Sequence, residues 1–278
     1  MKLATIRTAT GTAAVRLDDD GAVETGHQDV GALLSQPNWQ ATAVEARGTP
    51  HDLEGLNFAP VIADPGKIVC VGLNYRSHIL EMGRDLPEYP TLFAKFSDTL
   101  IGAQDNIVIP DASDALDWEA ELAVVIGTSV RHADRASAES AIAGYCVLND
   151  VTARDWQYRT VEWLQGKNFE ATTPIGPYLL TADDFDISAA AIEARVGDEV
   201  VQSAQLSDLL FTPADLVSYL STIFTLRPGD VIATGTPGGV GHARDPRRYL
   251  SPGAIVTTTI TGLGQCRNVC RPEHARAA

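Results

Sequence analysis

"DWEAELAVVIG" (residues 117–127) sets two glutamates two positions apart at the mouth of an uninterrupted apolar run. Side chains alternate along a strand, so Asp117, Glu119 and Glu121 take one side and Trp118, Ala120 and Leu122 the other. Taken alone, such a pair reads as a solvated acidic face. Here the charged side continues through Ala123 and Val125, and the opposite side through Val124 and Ile126, so the strand runs on into a region apolar on both sides. Carboxylates at its rim are partly desolvated and repel each other unless a cation lies between them. A third acid, Asp150, closes another apolar run in "CVLNDVTARDWQ" (146–157). Three carboxylates converging from strand ends form a hard, all-oxygen donor set that suits Mg²⁺ or Mn²⁺ better than Zn²⁺.

Working outward, short β-branched runs bounded by turn residues recur at 67–73, 90–96, 106–110, 145–150, 176–180, 191–196, 230–235 and 254–260. Helical signals are fewer. Residues 134–143 open on Asp134 and are rich in alanine, and Thr212-Pro213 supplies an N-cap and a proline at N1 for the stretch that follows. The balance predicts a strand-dominated α+β fold over a regular βαβ alternation. The opening runs KLATIRT and AAVRL read as strands of a small N-terminal β-rich domain, with a connector ending in the turn Ala63-Asp64-Pro65-Gly66. The expected division is 1–66 and 67–278.

Thirty-six acidic against twenty-one basic residues give a net charge of −15, which disfavours nucleic acid and anionic membrane surfaces as partners. The first residues carry no apolar targeting core, and no run reaches the roughly 18 apolar residues of a spanning helix. A cytoplasmic protein is expected. Its four cysteines are too few for a disulfide framework and form no C-x-x-C pair, which predicts free thiols.

Three further segments carry candidate chemistry. In "VGLNYRSHILEMG" (71–83), His78 and Glu81 share a face if the segment is helical, the outline of a base oriented by a carboxylate; an incidental surface pair has the same spacing. "LQGKNFEATTPIGP" (164–177) holds Lys167 in what reads as a loop, either solvated or placed to stabilise a developing enolate. "DVIATGTPGGVG" (230–241) ends a strand in glycines that let backbone N–H groups approach a ligand oxygen, although a tight turn has the same composition. It lacks the G-K-[ST] ending of a P-loop.

Taken together, NYRSHILE (74–81), DWEAELAVVIG (117–127), NDVTARDWQ (149–157), GKNFEATTPIGP (166–177) and ATGTPGGVG (233–241) resemble the fumarylacetoacetate hydrolase superfamily, in that family's order. The resemblance implies a catalytic domain built as a roll of mixed β-sheets, a homodimer, and a divalent cation, Mg²⁺ or Mn²⁺. It places the metal ligands on Glu119, Glu121 and Asp150, and the catalytic groups on His78, Glu81 and Lys167. Substrate-binding groups fall on Arg154, Gln157, Gly235 and Thr236. The run Lys167-Asn168-Phe169-Glu170-Ala171-Thr172 departs from the K-S-F-D-T-F type of many relatives.

The expected activity is hydrolysis of a C–C bond in an acylpyruvate, a 2,4-dioxo acid such as fumarylpyruvate from aromatic-compound catabolism. Arg154, with Arg76 or Arg84 as helpers, would grip the distal carboxylate bidentately. The alternatives are isomerisation or decarboxylation of 2-hydroxyhepta-2,4-diene-1,7-dioate, oxaloacetate decarboxylation, and a non-catalytic relative that only binds a metal and a dicarboxylate.

Overall fold

The structure, a computed structural model, describes residues 1–274. Its backbone is an eleven-stranded mixed sheet. From one edge the order is Pro50–His51, Ala22–Glu24, Gly11–Leu17, Lys2–Thr8, Thr173–Thr181, Ile142–Asn149, Ala120–Ile126, Val231–Ala233, Ile68–Gly72 and Thr91–Lys95, with Leu100–Ile101 pairing separately onto Thr173–Thr181. A five-stranded sheet, Glu199–Gln205, Ala191–Val196, Ile255–Ile260, Gly264–Pro272 and Ile107–Ile109, lies against it. The strand-dominated α+β architecture expected from the sequence is the one observed.

Alternation along Ala120–Ile126 fixes the layering. Leu122, Val124 and Ile126 enter the apolar cluster shared with Ile192, Val256 and Ile260 of the second sheet. Ala123 and Val125 enter the cluster on the other face, with Val30 and Leu33 of a short N-terminal helix and with Val61 and Ile62. All seven residues of the strand are buried, as a strand covered on both faces requires. The first 66 residues add four strands and two short helices. Their strands extend the main sheet, because Leu3 pairs with Leu179 and Lys2 with Leu180.

Both helices expected from the sequence are present, although the first is shorter than 134–143, because Ile142 and Ala143 begin the strand Ile142–Asn149. Asp134 accepts from the Ser137 N–H at the head of Arg135–Ser140. Thr212 and Asp215 form a reciprocal capping box ahead of Pro213–Ile223, whose Leu216, Val217 and Leu220 are fully buried. Among the described residues no helix is long and apolar enough to cross a membrane, and the four cysteines are free and buried.

Candidate active site

Antiparallel register brings the three acids together. Ala120 stands opposite Asn149, and Glu121 opposite Leu148. Glu119 therefore faces Asp150 across the pair, and residues two apart or directly opposite share a side of the sheet. The backbone locks this arrangement: Asp150 N–H donates to the Glu119 carbonyl at 2.8 Å, and Glu119 N–H to Asn149 Oδ1 at 2.9 Å. Oxygens of Glu119, Glu121 and Asp150 lie within 4.8 Å of one another, and all three residues are buried.

The strand expected to run unbroken through 117–127 is interrupted at Trp118-Glu119, and this sends Asp117 to a different task. Asp117 accepts from Arg154 Nε at 2.8 Å and from the N–H groups of Trp118, Gly241 and His242 at 2.9, 2.7 and 2.9 Å. It thus ties the arginine to the end of the glycine loop. That loop passes so closely that a Cβ on Gly241 would lie 1.9 Å from the Arg248 carbonyl oxygen.

Two lysines neutralise part of the acidic cluster. Lys167 Nζ donates to Glu119 Oε2 and Asp150 Oδ2, both at 2.7 Å, and Lys95 Nζ to Asp150 Oδ1 at 2.7 Å. Lys167 is not on a loop, as its sequence context suggested. It ends the short helix Leu164–Lys167 and is 1 % exposed. Asp150 is held below its ordinary value: burial pushes it up, but the charges of Lys167 and Lys95 outweigh that. Glu121 is pushed well above the carboxylate range by burial, then by Asp150 and Glu119. Its one direct donor among the described residues is the Gly235 N–H at 2.8 Å. Among the described residues no ammonium or guanidinium pairs with it.

Three buried carboxylates thus face two ammonium groups and the Arg154 guanidinium on Glu119, and among the described residues the one left without a cationic partner is Glu121. A divalent cation with oxygen preference fits this donor set on charge and on ligand chemistry.

A cavity of about 480 Å³ opens beside the cluster. Of the residues expected at the site, His78, Glu119, Glu121, Arg154, Gln157, Lys167 and Thr236 line it, whereas Glu81, Asp150 and Gly235 do not. Val71, Leu73, Phe93 and Trp163 supply apolar wall. His78 lies in the helix Arg76–Glu81, which Asn74 ties to the body through Nδ2 bonds to the Phe211 and Thr234 carbonyls at 3.0 and 2.8 Å. Its pKa is lowered by burial, a shift opposed by the charges of Glu81 and Glu119 and reinforced by Arg84.

Several expected roles need correction. Among the described residues no hydrogen bond joins His78 to Glu81, which is exposed, so the carboxylate acts on the imidazole through space. Gly235 gives its N–H to Glu121, and its φ of +99° explains the glycine there. Thr236 Oγ1 accepts from Gln202 Nε2 at 2.8 Å. Arg154 has no free fork for a bidentate grip. Its Nε is on Asp117, and its Nη1 is on Gln157 Oε1 at 2.9 Å and Glu119 Oε1 at 2.6 Å. Only Nη2 is left, buried and without a protein partner.

Lys95, Asp117 and Gln202 escaped the sequence reading. Lys95 carried one usable signal: it lies within the apolar run PTLFAKF, flanked by Ala94 and Phe96, on the same strand side as Phe93.

The family model described as fumarylacetoacetate (FAA) hydrolase C-terminal matches residues 67–271. The mitochondrial oxaloacetate tautomerase Fahd2a of Rattus norvegicus is 41% identical over 211 residues, 75% of this chain and 67% of that protein. The fumarylacetoacetate hydrolase of the psychrophile Exiguobacterium antarcticum superposes with a TM-score of 0.88 at 29% identity, covering 98% of this chain and 100% of the other. The 5-carboxymethyl-2-hydroxymuconate delta-isomerase of Mycobacterium smegmatis does so with a TM-score of 0.84 at 31% identity, again covering 98% and 100%.

Proposed function

The chain belongs to the fumarylacetoacetate hydrolase family, and from that membership we propose an enzyme that moves a proton at C3 of a small 2-oxo dicarboxylic acid, with keto–enol exchange of oxaloacetate as its reaction. The observation that carries this reading is the meeting, around one cavity, of a half-buried histidine and three buried carboxylates of which one lacks a cationic partner.

Glu119, Glu121 and Asp150 would hold the divalent cation, Mg²⁺ or Mn²⁺, which when bound supplies Lewis-acid polarisation of the 2-oxo group. His78, its pKa lowered by burial, is neutral near pH 7 and removes a proton from C3; as imidazolium it returns the proton in the reverse direction. Lys167 uses two N–H donors on carboxylates, and its third is available to oxygen O2 as negative charge develops there. Arg154 and Gln157 line the same cavity and bind carboxylate oxygen, while Thr236 completes the wall. Phe93 and Trp163 limit water around the enolate. The identity to an oxaloacetate tautomerase supports this choice over C–C hydrolysis, and so does the missing His78–Glu81 hydrogen bond, which a water-activating dyad would use.

Acylpyruvate hydrolysis is the second reading, favoured by a cavity larger than a four-carbon acid fills. The discriminating experiment follows absorbance of enol-oxaloacetate, an acylpyruvate and 2-hydroxyhepta-2,4-diene-1,7-dioate with Mg²⁺ and then with EDTA. Accelerated loss of the oxaloacetate enol supports the proposal; cleavage of the acylpyruvate alone replaces it with hydrolysis. Binding without turnover of any of the three leaves a non-catalytic binder.

Two companion proposals concern assembly and location. Tyr158, Val161 and Leu164 expose apolar side chains on one segment, Val161 at 92 %, and support the homodimer. The four unpaired thiols support a cytoplasmic site.

A further inference from the structure

His242 follows the glycine loop in the turn Gly241–Ala243, and its side chain lines the cavity. Its backbone N–H is anchored on the same Asp117 carboxylate that holds Arg154. The imidazole is fixed on its other edge. Nδ1 lies 2.8 Å from the hydroxyl of Tyr249, a residue outside the cavity wall, and the ring packs on Tyr158 with centroids 5.1 Å apart. Among the described residues Nε2 has no hydrogen-bond partner.

The hydrogen-bonding sense of this edge follows from chemistry. Burial, Arg247 and Arg154 lower the pKa of His242, so the ring is neutral near pH 7. The phenol is a far better acid than a neutral imidazole, so Tyr249 donates to Nδ1 and the ring proton resides on Nε2. The cavity therefore presents an N–H donor here. Arg154, which lines the same cavity, carries a second, because its Nη2 has no hydrogen-bond partner among the described residues. Two donors suspended from one aspartate call for an acceptor with two oxygens. Arg154 Nη1 also contacts Glu119 at 2.6 Å, which sets this pair of donors alongside the acidic cluster and not within it.

We propose that His242 determines specificity: its Nε2–H, in the cavity wall it shares with Arg154, receives the second carboxylate of the substrate, with Arg154 Nη2 as the neighbouring donor on the Glu119 side. Tyr249 is the positioning residue that holds the ring. This deepens the functional reading above and rests on its premise that the ligand is a 2-oxo acid.

The test uses 2-oxoglutarate and 2-oxopentanoate, which share a carbon skeleton and differ in a terminal carboxylate against a methyl group. Calorimetry in Mg²⁺ measures both, independent of turnover. Wild type should prefer 2-oxoglutarate by about tenfold or more, the scale of a charge-assisted hydrogen bond. His242→Ala should remove most of that preference while changing 2-oxopentanoate affinity by less than about twofold. His242→Gln, which keeps an N–H donor, should retain part of it. Tyr249→Phe removes one oxygen atom and should lower the preference without unfolding the loop. Equal weakening of both ligands in His242→Ala and Tyr249→Phe, or no preference in wild type, overturns the assignment. Should the preference behave as stated while enol-oxaloacetate is not turned over, the tautomerase reading falls and the subsite stands.

Discussion

Replacing Lys95 with methionine removes one ammonium from a site in which Glu121 already lacks a cationic partner among the described residues. Its Nζ lies 2.7 Å from Asp150 Oδ1, and both side chains are 0 % exposed. Methionine keeps the length and apolar stem, so packing is largely preserved and the change isolates charge. Deleting one member of a buried ion pair costs about 3–5 kcal/mol, because the survivor remains desolvated. For a chain of this length that corresponds to a fall in Tm of roughly 6–10 °C. The uncompensated negative charge also strengthens the demand for a divalent cation, so Mg²⁺ should raise the Tm of the variant more than that of wild type. The assay is thermal unfolding of both proteins in EDTA and in Mg²⁺. Adding Asp150→Asn should recover part of the loss, since the carboxylate that has lost one of its two ammonium partners is then gone. A variant that melts with wild type in EDTA and gains no more from Mg²⁺ would refute the electrostatic account of the cluster.

Two further outcomes follow from the geometry. Deprotonation by His78 requires the neutral ring, so kcat/KM should fall on the acid side with a midpoint below the ordinary histidine value of 6.5. Glu81 raises that pKa, so Glu81→Gln should move the midpoint further down; a pH–rate profile shifted upward contradicts the through-space role. Gly241→Ala places a Cβ 1.9 Å from the Arg248 carbonyl and 2.8 Å from Asp117 Oδ1, so the loop must shift and release Arg154. A large rise in KM with little change in Tm is expected in steady-state and melting assays; unchanged KM would show that Asp117 does not couple loop and arginine.

The sequence made the acidic cluster legible because its logic is local. Strand period puts Glu119 and Glu121 on one side, and the apolar run after them announces burial. The Thr212 cap was legible for the same reason. Lys95 was not, since a lysine near the end of an apolar run reads as a surface residue until Asp150, 55 positions away, is brought against it. Helices of four residues, Arg154–Gln157 and Leu164–Lys167, are too short for a 3.6-residue period to register, so Lys167 read as a loop residue. The strand Gly264–Pro272 alternates Cys266, Asn268 and Cys270 inward, and its buried asparagine masked the apolar side. Asp117 shows the remaining limit. Alternation grouped it with Glu119 and Glu121, but the break at Trp118-Glu119 turns it toward Arg154 and the glycine loop.

The claim on which the account rests is that Glu119, Glu121 and Asp150 together bind one divalent cation. Titrating the protein with Mn²⁺ and counting the free ion by electron paramagnetic resonance measures this directly. One ion per chain is predicted for wild type and for Glu81→Gln, with the bound ion lost or greatly weakened in Glu121→Gln. Undiminished binding in Glu121→Gln, or no binding to wild type, would contradict it.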